Sequence, residues 1–78
     1  MKEMIIVYNS IGYAIGIVDA VPGIEDKVKA AIEKWYRTEV IDMSPCGVYP
    51  GVTDQYIEVF MADRTKVKIR LQNVRYYR

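Results

Sequence analysis

The chain has 78 residues, 51% of them hydrophobic and 27% charged, with no histidine and a single cysteine. These values exclude an internal disulfide, a Cys-rich or Cys/His zinc centre within one chain, and any chemistry that relies on imidazole. The formal net charge of +1 hides a division, because residues 64–78 carry six of the eleven Lys/Arg and no acid, while residues 1–63 carry the other five and all ten Asp/Glu.

A domain of this length buries only about 60–65% of the surface its unfolded chain exposes. Its apolar share is above the usual ~45–50% once glycine is included, so some apolar surface is left over for a partner. A homodimer is one expected outcome. Ten Ile and ten Val against one Leu favour pleated, half-buried surfaces, and so a strand-rich protein. No apolar segment approaches the ~20 residues a membrane helix needs, and the first residues do not read as a signal peptide. The expected location is the cytoplasm, with no membrane partner.

In chain order, Met4–Tyr8 and Tyr13–Val18 predict a hairpin around Asn9, Ser10, Ile11 and Gly12. A four-residue loop pairs Tyr8 with Tyr13, Ile6 with Ile15 and Met4 with Ile17. On the other face Ile5 and Val7 oppose Ala14 and Gly16, a small pair that leaves a trough for a helix or a partner. After Pro22 and Gly23, the residues Ile24, Val28, Ala31, Ile32 and Trp35 form one helical stripe, predicting a helix from about Ile24 to Thr38. Glu25 and Asp26 suit its first turn and Lys34 and Arg37 its last. Glu25–Lys29 and Glu33–Arg37 are correctly ordered i,i+4 pairs.

Val40–Met43 reads as a short strand. Ser44 to Asp54, with Pro45, Gly47, Pro50 and Gly51, reads as an irregular loop. The remainder is a second hairpin. A loop of Asp63, Arg64 and Thr65 pairs Met61 with Val67, Val59 with Ile69 and Ile57 with Leu71, and sets Glu58 opposite Arg70. Val67, Ile69 and Leu71 alternate with Lys66, Lys68 and Arg70, but Val74 is apolar where alternation calls for a polar residue. A bulge near Gln72 and Asn73 accounts for that break. The expected architecture is α+β, of order ββα(β)ββ, with a mainly antiparallel twisted sheet and one helix across one face. The expected core is Ile6, Ile15, Ile17, Val28, Ile32, Trp35, Ile57, Val59, Ile69 and Leu71.

No phosphate-binding glycine pattern and no serine with a catalytic partner is present. Cys46 lies in a Pro-Cys-Gly loop without an adjacent base to lower its thiol pKa, which describes an ordinary thiol. Asp42 and Asp54 flank that loop, where solvated loop caps are commoner than a carboxylate pair for acid–base work or a cation. The expectation is a non-enzymatic protein without metal or cofactor.

Binding chemistry concentrates at the C-terminus. Tyr56 and Phe60 share the outward face with Lys66, Lys68 and Arg70, and Arg75, Tyr76, Tyr77 and Arg78 follow. Tyr and Arg are enriched in protein interfaces. These nine residues are the predicted partner-binding surface, aimed at an acidic protein surface by electrostatic steering. Inhibitors and adaptors, including those of phages and other mobile elements, are the class of small protein that fits. The alternative is a single-stranded nucleic-acid platform on the same strand, with cations on phosphates and aromatics on bases. The near-neutral total charge counts against it.

Overall fold

The computed structural model describes residues 2–20, 23–44 and 54–76. Five strands and one helix follow the chain as β1 (Lys2–Tyr8), β2 (Ala14–Asp19), α1 (Ile24–Tyr36), β3 (Val40–Ser44), β4 (Asp54–Met61) and β5 (Lys66–Tyr76). The strands form one sheet in the order β2-β1-β5-β4-β3, with every neighbouring pair antiparallel. The expected α+β architecture is the observed one. The loop between Ser44 and Asp54, with Cys46, lies outside the described residues, as do Tyr77 and Arg78.

Both hairpins close in the same way. In the first, Asn9 N–H donates to the Tyr13 carbonyl (2.9 Å) and Gly12 N–H to the Asn9 carbonyl (3.1 Å), around a loop of Ser10, Ile11 and Gly12. In the second, Met61 N–H donates to the Thr65 carbonyl (2.9 Å) and Arg64 N–H to the Met61 carbonyl (3.0 Å), around Ala62, Asp63 and Arg64. The third loop residue takes a left-handed backbone in both, with φ of 89° at Gly12 and 71° at Arg64. This is the three-residue turn that normally favours glycine at that place. Side chains reinforce each loop. Asn9 Oδ1 accepts from Ile11 N–H and Tyr13 N–H, and Asp63 Oδ1 accepts from the Thr65 amide and hydroxyl. Those bonds from Thr65, the hydroxyl first, hold the Asp63 carboxyl below the usual carboxylate range.

Arg64 therefore occupies a glycine position with a side chain that disfavours it. Arg64→Gly is expected to raise stability by about 0.5–1 kcal/mol, the relief of left-handed strain exceeding the added freedom of the unfolded chain. Urea unfolding of both proteins checks this, with the midpoint moving up and the slope unchanged.

The second loop sits one residue before its predicted place and the first is one residue shorter than predicted, and the registers change accordingly. In β4–β5 the pairs are Ile57 with Ile69, Val59 with Val67 and Glu58 with Lys68, a slide of two from the expected register. A slide of two keeps every side chain on its face, so Gln55, Ile57, Val59 and Met61 are still buried together with Ile69 and Leu71. In β1–β2, Ile6 pairs with Ile17, Ile5 with Val18 and Val7 with Gly16, and a shift between Val7 and Tyr8 leaves Ile15 as an extra residue. The bulge expected at Gln72 and Asn73 is not there. β5 pairs with β1 without interruption from Arg70 opposite Tyr8 to Tyr76 opposite Lys2.

The helix ends two residues before the predicted limit, because Arg37 turns left-handed (φ 56°) and its N–H caps the Glu33 carbonyl at 2.7 Å. The Glu33 carboxylate does not pair with Arg37. It accepts the Val40 N–H at 2.8 Å and so ties the last turn of α1 to the start of β3.

The core lies between α1 and one face of the sheet. Ile24, Val28 and Ile32 pack on Ile5, Val7, Val40, Ile57, Val59, Met61, Ile69 and Leu71, with Ile15, Val18, Ala20, Tyr36, Met43 and Val67 around them. Burial raises the pKa of the Tyr36 phenol. Three predicted core residues are misplaced. Ile6 lies on the opposite sheet face and is half-buried, Ile17 beside it is 56% exposed, and Trp35 is 51% exposed. The helix takes the Ile5/Val7 face because Gly16 lets it come close. A Cβ built on Gly16 would stand 2.8 Å from the Cβ of Ala31.

Candidate functional site

With α1 on one side, the other face of the sheet is covered by no element among the described residues. Period-two alternation decides what it shows. From β1 come Met4, Ile6 and Tyr8; from β2, Ile17 and Asp19; from β3, Asp42; from β4, Asp54, Tyr56, Glu58 and Phe60; from β5, Lys66, Lys68, Arg70, Gln72 and Val74.

The face has two halves. At one end Met4, Ile6, Ile17 and Val74 lie on neighbouring strands as an aliphatic patch, with Ile17 opposite Ile6 and Val74 opposite Met4. None of the four belonged to the predicted surface. The signal for it was Val74, whose break in the alternation is no bulge but an apolar residue in regular register on the open face.

The other half is aromatic and charged, and Arg70 is its hub. Its guanidinium lies over the Tyr8 ring, 4.4 Å from the centroid, and its Nη1 donates to Asp54 Oδ1 at 3.2 Å. Tyr56 stands opposite Arg70 on β4, and the Tyr8 hydroxyl donates to Gln72 Oε1 at 3.0 Å. These contacts hold Arg70 in one place on a half-open surface. Lys66 pairs with Glu58 at 3.1 Å while staying largely in solvent. Arg70 is opposite Tyr56, so the predicted Glu58–Arg70 pair is not formed, and Glu58 sits across from Lys68. Lys68 has no ion pair with a described residue. Exposed pairs of this kind contribute little stability, about 0–1 kcal/mol each. Their consequence here is electrostatic, because they compensate the charge of β5 locally.

Of the nine predicted binding residues, the structure brings Tyr56, Phe60, Lys66, Lys68 and Arg70 onto this face. Arg75 and Tyr76 belong to β5 and pair in register with Glu3 and Lys2. Tyr56 is 70% exposed and Phe60 39%. Shallow grooves flank Tyr56, one lined by Asn9, Ser10 and Gly12 of the first loop and the other by Ser44 and Glu58, and Lys68 lines both. The charge division of the sequence does not become a basic face among the described side chains. Among the described side chains, Lys66, Lys68 and Arg70 are interleaved with Asp19, Asp42, Asp54 and Glu58, three cations against four carboxylates.

Among the described residues no group of three metal-ligating side chains comes together, and no helix is long and apolar enough to cross a membrane. Comparison with protein-family models, curated proteins and solved structures finds no match to this chain.

Proposed function

We propose that this is a non-enzymatic binding protein whose open sheet face docks on another protein, as an inhibitor or adaptor does. The observation that carries the reading is the composition of that face, with solvent-exposed Tyr56, Phe60 and Ile17 set among locally paired charges. A surface of large apolar and aromatic groups with a compensated polar frame is what the centre of a protein interface requires, because apolar area is buried there without stranding charge. Arg70, already fixed by Tyr8 and Asp54, loses little further freedom on docking. Among the described side chains of that face, Lys68 is the cation without an ion pair, and so the one placed to meet a carboxylate of the partner.

The nucleic-acid reading keeps one observation in its favour, two outward aromatics on β4 beside Lys68 and Arg70 on β5. Phosphate tracking needs uncompensated positive charge, and the interleaved carboxylates oppose it.

Tyr56→Ala with Phe60→Ala is expected to weaken capture of the partner about 30-fold or more, the effect of removing one interface hot spot of ~2 kcal/mol. Both side chains point away from the core, so the thermal midpoint should hardly move. Capture is measured by immobilising native and variant chains in parallel against the same lysate, and labelled oligonucleotides are titrated at two salt concentrations. Undiminished capture by the variant refutes the face, and tight, steeply salt-dependent oligonucleotide binding replaces the reading with the nucleic-acid one.

A further inference from the structure

The two outer strands of the sheet are β2 and β3. β3 carries Asp42, and its register shifts at Ile41, a device that keeps an edge from pairing with foreign strands. β2 (Ala14–Asp19) likewise carries one acid, Asp19, and one shift, at Ile15, but it has no Lys, Arg or Pro and pairs regularly from Gly16 to Asp19. Ala20 N–H donates to the Glu3 carbonyl at 3.1 Å, which makes Ala20 opposite Glu3 a hydrogen-bonded pair. By antiparallel alternation Val18 and Gly16 also bond inward to β1, and the N–H and C=O of Ile17 point away from the sheet.

Apolar groups lie on both sides of that edge. On the open face is Ile17, with Ile11 and Tyr13 exposed at the neighbouring loop. On the helix side a groove between β2 and the end of α1 is lined by Ile15, Lys34, Trp35 and Arg37, with the indole half exposed. Among the described residues that line it, the groove holds two cations and no acid. Neither Lys34 nor Arg37 makes an ion pair with a described residue. Lys27 lies one helical turn before Ala31, the residue that touches β2 at Gly16, and so belongs to the same flank.

We propose that the free edge of β2 accepts an extended, acidic and aliphatic segment of a partner protein as a sixth strand. Main-chain hydrogen bonds to Ile17 would hold it, as in strand addition generally. Its alternate side chains divide between the two faces: one set meets Ile17, and the other enters the groove, where an aliphatic side chain packs on Trp35 and Ile15 and a carboxylate meets Lys34 or Arg37. A second copy of this chain fits less well. Two-fold antiparallel pairing of β2 with itself would set the Lys27–Ala31–Lys34 flank against its own image, and like charges across an interface are unfavourable. This edge borders the docking face proposed above and shares Ile17 with it, while its main-chain groups and the groove beside α1 lie outside that face.

The test uses capped octapeptides on the native protein, one with valine along the Ile17 side and valine and glutamate in turn along the groove side, the other with lysine in place of glutamate, read by amide hydrogen exchange at Ile17. The glutamate peptide is expected to slow that exchange about tenfold at saturation, and the lysine peptide to leave it unchanged. In the Lys27→Glu, Lys34→Glu variant the preference is expected to reverse. The proposal is overturned if neither peptide slows exchange at Ile17, or if both slow it equally. It is also overturned if the Ile17 amide of the peptide-free protein becomes protected as protein concentration rises, which would make the occupant a second copy.

Discussion

Gly16→Ala should destabilise the fold by about 1–3 kcal/mol, the usual cost of forcing an extra carbon into a filled contact, and Gly16→Val by more. The backbone at this residue does not sit in the left-handed region, so strand conformation is no obstacle to a side chain. What the new Cβ meets is the Cβ of Ala31, at 2.8 Å, closer than two methyl carbons approach without strain. Either the helix rises from β2 or the strand bends away, and both open the layer in which Val28 and Ile32 are buried. The mechanism has a second signature. Ala31→Gly alone weakens the helix by about 1 kcal/mol through backbone freedom, yet combined with Gly16→Ala it should recover much of the loss. A favourable coupling of about 1 kcal/mol in that cycle, measured by urea unfolding, is the expected result. Strictly additive losses would mean that the close approach is not what constrains Gly16.

The same residue shows why the first hairpin could not be oriented from sequence. Its two faces are equally apolar, Ile6 and Ile17 on one and Ile5, Val7 and Val18 on the other, so alternation gives no vote. The choice is made by the approach of α1 over Gly16, which depends on Ala31, a residue of a helix that begins only after both strands have ended. The helix itself was legible because Ile24, Val28 and Ile32 repeat at helical spacing. Trp35 continues that stripe, but by then α1 is over the edge strand at Ile15, and the indole has only one side to bury.

For the candidate site, outward alternation found Tyr56, Phe60, Lys68 and Arg70. It could not find what neutralises them, because Tyr8 and Asp54 reach Arg70 through strand register. That register is set by a turn with Arg64 where glycine is usual, a choice that leaves no glycine in the sequence to mark the turn. A loop misplaced by one residue then hid the pairings while leaving the faces intact.

Asn73→Val should do the opposite of the glycine substitutions and stabilise the protein by about 1–2 kcal/mol. Asn73 lies on the helix-facing side of β5, opposite Ile5 of β1, and both its side-chain oxygen and nitrogen are buried without a hydrogen-bond partner. An amide stripped of water and given nothing in return costs about 1–3 kcal/mol, and an apolar group of similar size removes that cost. Valine adds a branched side chain suited to a strand next to Ile5 and Leu71. For a domain of this size each kcal/mol moves the thermal midpoint by about 4–8 °C, well within calorimetric reach. An unchanged or lower midpoint would show that the amide is satisfied in solution, by water or by chain. Asn73→Asp separates those cases through its pH dependence. In a dry site the new carboxyl has a folded pKa raised above its unfolded value near ~3.9. The loss of stability is then small below that pH and grows as pH rises from the unfolded pKa toward the folded one. A hydrated or donor-rich site would give no such rise. The pair Asn73 and Val74 thus inverts the usual order, a polar residue inside and an apolar one outside, and regular pairing with β1 holds both in place. The inward half of the inversion weakens the fold, while the outward half completes the aliphatic patch with Met4, Ile6 and Ile17. If Asn73→Val does stabilise, Val74→Asn, which restores the outward polarity without touching the core, should leave stability nearly unchanged and reduce only what the open face can bind.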